Sequence, residues 1–105
     1  MRRLSIIIPS LNESESLNEL FSRIDNVVKE HSLKAQVVLI DDGSTDDTEY
    51  VVSKYEVQNI EKITYIKFRK NSGKSDALSQ GIKYAEYDLI CTLDADLQDQ
   101  PEEII

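Results

Sequence analysis

Three carboxylates, Asp94, Asp96 and Asp99, follow an apolar run in the stretch LICTLDADLQDQPEE at residues 89–103. In extended backbone, residues two apart point to one side, so Asp94 and Asp96 are expected to crowd their charges together. Two like charges about 4 Å apart at an effective dielectric near 20 repel by about 4 kcal/mol. Such a pair either takes up a proton or binds a cation, and carboxylate oxygens suit Mg²⁺ or Mn²⁺. Without histidine or cysteine among the ligands, zinc is disfavoured. The competing reading is a solvated acidic turn. Spacing alone does not separate the two, because ten aspartates in 105 residues produce an Asp-x-Asp about once by chance.

A second carboxylate pair, Asp41 and Asp42, opens DDGSTDDT after another apolar run. It could accept hydrogen bonds from a base N–H or from ribose hydroxyls, or it could be an Asp-Gly turn leading into a helix capped by Ser44. Lys74 in RKNSGKS could supply a cation to a phosphate, or be a plain surface lysine. Neither GxGxxG nor GxxxxGK[ST] occurs, so a dinucleotide fingerprint and a P-loop are both excluded. His31 falls near a helix end and reads as solvated; Cys91, inside an apolar run, reads as a small buried hydrophobe.

These residues need elements to position them, and apolar runs alternate with helical patterns along the whole chain. Residues 4–8, 35–40, 63–68 and 87–93 read as strands. Leu17, Leu20, Phe21, Ile24, Val27 and Val28 recur at spacings of three and four, giving an amphipathic helix over about residues 14–31. A second helix carries Val51, Val52 and Tyr55, and a third puts Ala77, Leu78, Ile82 and Ala85 on one face. Pro101 suits the first turn of another helix. The order predicts an α/β fold: a Rossmann-like, doubly wound, mainly parallel sheet covered by helices on both faces. In such sheets ligands bind outside the carboxyl ends of the strands. There the polar clusters fall, at residues 9–13, 41–44, 69–74 and 94–96.

The balance of 12 Lys plus Arg against 20 Asp plus Glu, a net charge of −8, makes nucleic acid a poor partner. The lone cysteine precludes an internal disulfide and suits a reducing compartment. The run in MRRLSIIIPS is too short for a signal or a membrane span, and no other segment approaches the roughly 18 apolar residues a spanning helix needs. A soluble, cytoplasmic domain is expected. An open parallel sheet ending on its most apolar strand leaves an unpaired edge, so the expectation is either that a second half of the fold is absent or that copies associate through that edge.

IIIPSLNE, LIDDGSTDDT, FRKNSGKSDALSQGI and LDADLQDQPEE, in this order and spacing, make the chain resemble the N-terminal, nucleotide-binding half of a family 2 glycosyltransferase with the GT-A fold. More narrowly it is similar to the polyprenyl-phosphate and dolichyl-phosphate sugar transferases, although Gln100 stands where that subgroup usually has proline. The resemblance implies a nucleoside diphosphate sugar as donor, UDP-sugar or GDP-mannose, and a lipid-phosphate or glycan acceptor. It implies that Pro9, Leu11 and Glu13 line the nucleotide pocket, that Asp41 and Asp42 contact base and ribose, and that Lys74 and Ala95 lie by the nucleotide. Asp94 and Asp96 would be the catalytic pair holding Mg²⁺ or Mn²⁺, with Gln98 close by. A metal-dependent, inverting transfer of a hexose is the activity implied, with the longer natural protein at the cytoplasmic face of a membrane. Two other readings remain: a non-catalytic nucleotide-binding or dimerising fragment, and a phosphoacceptor receiver-like domain prompted by the Asp41–Asp42 pair. Against the latter, the pair follows strand two and no late lysine-bearing strand occurs.

Overall fold

Ile6, Ile7 and Ile8 are buried on both faces of one strand, as a run of β-branched residues in a parallel sheet requires. They form the centre of β1 (Arg3–Ser10) in a computed structural model that describes residues 2–96 and 101–104. The chain continues through α1 (Ser14–Glu30), β2 (Lys34–Asp41), α2 (Thr48–Lys54), β3 (Lys62–Lys67), α3 (Lys74–Lys83) and β4 (Leu89–Thr92) to a 3₁₀ turn at Pro101–Ile104. Gln98, Asp99 and Gln100 lie outside the described residues.

The sheet order is β3-β2-β1-β4 and every pairing is parallel. The chain winds outward from β1 to β3 and then crosses to the far side of β1, so the switch in winding direction falls between β1 and β4. On one face Ile6, Ile8, Val37 and Leu39 pack on Leu17, Leu20, Phe21 and Ile24 of α1, with Val51 and Val52 of α2 joining them. On the other, Ile7, Val38 and Ile40 meet Ala77 of α3. The doubly wound α/β class expected from the alternation is the one observed.

Three local expectations change. Ile82 is 50% exposed rather than buried, because α3 approaches the sheet through Ala77 and Gly81, one turn apart. A Cβ on Gly81 would sit 2.5 Å from Ile7 Cγ2, so only glycine permits that approach and Ile82 is turned outward. Ser44 does not cap α2; the Thr48 amide donates instead to Asp46 Oδ1 at 3.0 Å, and Tyr55 falls just past the helix end. The fourth strand ends at Thr92 rather than 93, and Asp94 and Asp96 lie beyond it, with Ala95 and Asp96 in a turn. Strand alternation therefore does not govern that pair.

Two buried polar residues stitch the layers together. Asp25 of α1 is 2% exposed and accepts from the amides of Gln58, Asn59 and Ile60 and from the Tyr55 hydroxyl, tying α1 to the chain entering β3. Gln36 of β2 accepts from Ser5 Oγ and the Glu86 amide, and donates to Thr64 Oγ1 and the Tyr84 carbonyl. Ser5 Oγ in turn accepts from the Tyr87 amide at 3.2 Å, which sets the approach of β4 to β1. β4 is an outer strand, with Leu89 and Ile90 exposed. No described helix is long and apolar enough to cross a membrane.

Candidate functional site

At the carboxyl ends of the strands, hydrogen bonds lace the four loops to one another. Asn12, after β1, adopts a left-handed φ of 53°, which its short amide side chain tolerates better than most residues. Its backbone N–H donates to Ser44 Oγ at 2.8 Å, and its Oδ1 accepts from the amides of Thr45 and Asp46. The loop after β1 is thus braced on the loop after β2. Asp42 reaches the third loop: Oδ1 accepts from the Ser72 amide at 2.7 Å and Oδ2 from the Gly73 amide at 2.9 Å. Gly43, at φ 91°, lets these loops touch, because a Cβ there would lie 2.8 Å from Asn71 N. Lys74 Nζ bridges to the fourth loop at 2.6 Å from Asp94 Oδ1, and Ser16 Oγ donates to the Ala95 carbonyl at 2.8 Å.

The laced loops surround an open cleft of about 340 Å³ at the switch between β1 and β4. Pro9 lines it from the end of β1, Leu11 and Glu13 from the first loop, Asp42 from the second, Lys74 from the first turn of α3, and Asp94, Ala95 and Asp96 from the fourth loop. The structure thus brings these expected site residues together from positions up to 87 residues apart in sequence (96 − 9 = 87). Asp41 does not join them. It is fully buried beneath the rim, where Oδ1 accepts from the Ser44 amide at 2.7 Å and Oδ2 from the Tyr65 hydroxyl. Burial, reinforced by that carboxylate, pushes the Tyr65 phenol well above its ordinary range and keeps it a donor. Gln98 lies outside the described residues.

Ser10, Asn71 and Gly73 also line the cleft; the sequence placed them in the rim clusters at residues 9–13 and 69–74 but singled none of them out. A signal for Ser10 existed: Leu4, Ile6, Ile8 and Ser10 share one face of β1, and a polar residue ending a buried apolar series is out of place.

Among the described residues, four carboxylates (Glu13, Asp42, Asp94, Asp96) and one ammonium (Lys74) border the cleft, so a bare diphosphate entering it meets net repulsion from them. A divalent cation fits the donor set. Asp94 is half-buried, Asp96 is exposed, and both offer hard oxygens, with no imidazole or thiolate among the described residues that line the cleft. Asp94 already draws one cation, the Lys74 ammonium. Among the described residues no group of three or more His, Cys, Asp or Glu side chains is arranged to hold a metal. Further ligands would come from elsewhere, as is usual for Mg²⁺ shared with substrate phosphates.

Comparison with known proteins bears on the family and the fold. The undecaprenyl-phosphate 4-deoxy-4-formamido-L-arabinose transferase of Klebsiella pneumoniae (strain 342) is 36% identical over 104 residues, 99% of this chain and 32% of that protein. The chain spans about a third of that relative's length. S. aureus TarS 1–349 in complex with UDP-GlcNAc matches with a TM-score of 0.75 and 26% identity, over 91% of this chain and 27% of that one. The mannosyltransferase PcManGT from Pyrobaculum calidifontis, in complex with GDP-Man and Mn²⁺, matches with a TM-score of 0.72 and 27% identity, over 91% and 28%. The sheet is that of the GT-A glycosyltransferases. The model described as glycosyl transferase family 2 matches residues 5–105, nearly the entire chain, and the chain therefore belongs to that family.

Proposed function

We propose that this chain forms the donor-binding part of a metal-dependent, inverting glycosyltransferase that moves a hexose from a nucleoside diphosphate sugar to a polyprenyl phosphate. The observation that carries the reading is the convergence of Asp42, Lys74, Asp94 and Asp96 on one cleft at the switch point of the sheet. Similar chains bound to GDP-Man with Mn²⁺ and to UDP-GlcNAc support the donor class, and the undecaprenyl-phosphate transferase supports the acceptor class.

In this reading Pro9, Leu11 and Glu13 flank the nucleoside, and Asp42 offers its remaining lone pairs to ribose or base while its amide bonds hold the third loop still. Asp94 and Asp96 would hold Mg²⁺ or Mn²⁺. Such an ion, when bound, supplies Lewis-acid stabilisation of the charge that builds on the departing diphosphate, worth several kcal/mol. Lys74 adds a positive charge on the same side of the cleft and orients the diphosphate. The anomeric carbon becomes oxocarbenium-like as that bond breaks, so fixing the leaving group is the main task of this part of the fold. A phosphate acceptor arrives already ionised and needs no general base.

Calorimetry with UDP and GDP tests the reading. Affinity is expected to rise at least tenfold on adding Mn²⁺, roughly the effect of 1.4 kcal/mol, and to lose that gain in Asp96→Asn. Binding indifferent to both metal and substitution would refute it.

A further inference from the structure

Asp94 and Asp96 follow the end of β4, outside the sheet ladder, and their like charges push them apart. The Leu93 amide bonds the Ile7 carbonyl at 3.1 Å, and beyond it the chain leans on α1. Leu93 and Ala95 are buried in the cluster that α1 covers. Ser16, in the first turn of α1, donates its hydroxyl to the Ala95 carbonyl at 2.8 Å, the backbone group between the two acids. A serine so early in a helix commonly bonds within its own turn, but here that acceptor, the Glu13 carbonyl, lies farther off at 3.1 Å. Arg23 sits about two turns further along α1, on the same side. Its guanidinium forks onto Glu102, with Nε 3.2 Å from Oε2 and Nη2 2.6 Å from Oε1. A second tie to α1 thus falls beyond the acids in sequence.

We infer that Ser16 and Arg23 are positioning residues, through which α1 holds the segment carrying Asp94 and Asp96 in the geometry a divalent cation needs; this rests on the reading of the cleft under "Proposed function". The support is firm, since Leu17, Leu20, Phe21 and Ile24 of α1 are fully buried. The Ser16 tie engages a backbone carbonyl, so unlike Lys74, which bonds Asp94 Oδ1, it does not compete with a cation for carboxylate oxygen. An arginine–carboxylate fork fixes direction as well as distance, whereas a pair whose side chains are 28% and 50% exposed adds little stability. Arg23 and Glu102 therefore serve placement more than stability. Mg²⁺ demands near-ideal ligand geometry, and groups behind metal-binding carboxylates tune affinity by orienting them. Oxygens set in place beforehand spare the ordering cost when the ion binds.

The test compares Ser16→Ala, Ser16→Thr and Arg23→Gln with wild type by thermal melts and by calorimetric titration with UDP and GDP, each with and without Mn²⁺. Wild type sets the gain in affinity that Mn²⁺ brings. Ser16→Ala is expected to cut that gain about three- to tenfold, the worth of one hydrogen bond, with metal-free affinity unchanged; Ser16→Thr, which keeps the hydroxyl, should retain it. Arg23→Gln removes a positive charge, so charge alone would tighten cation binding, whereas loss of placement weakens it by at least about threefold. A lowered melting temperature with the full gain retained would assign these contacts to stability and overturn the inference. An equal loss with and without metal would overturn it too, and a larger Mn²⁺ gain in Arg23→Gln would overturn the part given to Arg23. A wild-type protein whose affinity for UDP and GDP ignores Mn²⁺ would overturn the proposed function and this inference with it.

Discussion

Asp41 and Asp42 are adjacent acids with different tasks, and the difference comes from which way each carboxylate turns. Asp41 is the last residue of β2 and turns under the rim to Ser44 and Tyr65; Asp42 turns across it to the amides of Ser72 and Gly73. The structure thus gives Asp42 a positioning role in addition to any ligand contact. Asp42→Ala is expected to speed hydrogen exchange at the Ser72 and Gly73 amides in the ligand-free protein by about tenfold, the worth of one charge-assisted bond. Unchanged exchange would restrict Asp42 to a ligand contact. Cys91 is the opposite case, a residue whose chemistry is suppressed by its place. Burial pushes its thiol up to about 11, so thiolate is scarce at neutral pH and the side chain serves packing.

At the scale of elements, the helices are placed by small or polar residues inside otherwise apolar faces. Gly81 sets how close α3 comes to the sheet, and Asp25 ties α1 to the turn before β3. Asp25→Asn would keep the volume but aim an NH₂ group at donors that need an acceptor. The expected cost is roughly 2–4 kcal/mol, since two or more buried donors lose their partner. Urea melts should show this as a lower midpoint at constant slope. A loss under about 0.5 kcal/mol would mean that water replaces the carboxylate there.

Across the whole molecule, stability should depend on pH with a sign set by the paired groups. Asp46 is held below its ordinary range: desolvation opposes this, but donors on Thr48 and Ser14 override it at this exposed side chain. Glu61, bonded by Tyr87 and Lys34, and Glu102, bonded by Arg23, are lowered as well. A depressed carboxylate contributes stability above its unfolded pKa, near 4, and loses it as pH falls through the folded value. Lys34 beside Glu61 and Lys62 beside Glu86 are raised, so their contribution is present below about 10.4 and is lost as pH rises through the folded values. With a net charge of −8 at pH 7 and a pI near 4.5, mild acidification also relieves self-repulsion. Melting temperature is therefore expected to stay level or rise slightly from pH 7 to 5, to fall below about pH 4, and to fall again above about pH 10. A melting temperature that keeps rising below pH 4 would contradict the pairing described.

The α/β class, the parallel sheet and the rim on which the polar loops gather can be read from the order of residues alone. Each follows from local information: β-branched runs, three-and-four spacing of apolar residues, and acids placed after strands. Family membership was legible too, in motifs whose order and spacing span the chain. Only in the folded chain does Asp41 lie beneath the rim while Asp42 crosses it, Ile82 face outward because Gly81 must pack, and Lys74 answer Asp94. Folding also buries the Ser10 hydroxyl without a partner among the described residues. The physical reason is one of range. Periodicity and turn chemistry act over a few neighbouring residues, whereas the direction of a carboxylate or the isolation of a hydroxyl depends on atoms brought together from loops 30 and 20 residues apart, as Asp42 meets Ser72 and Lys74 meets Asp94.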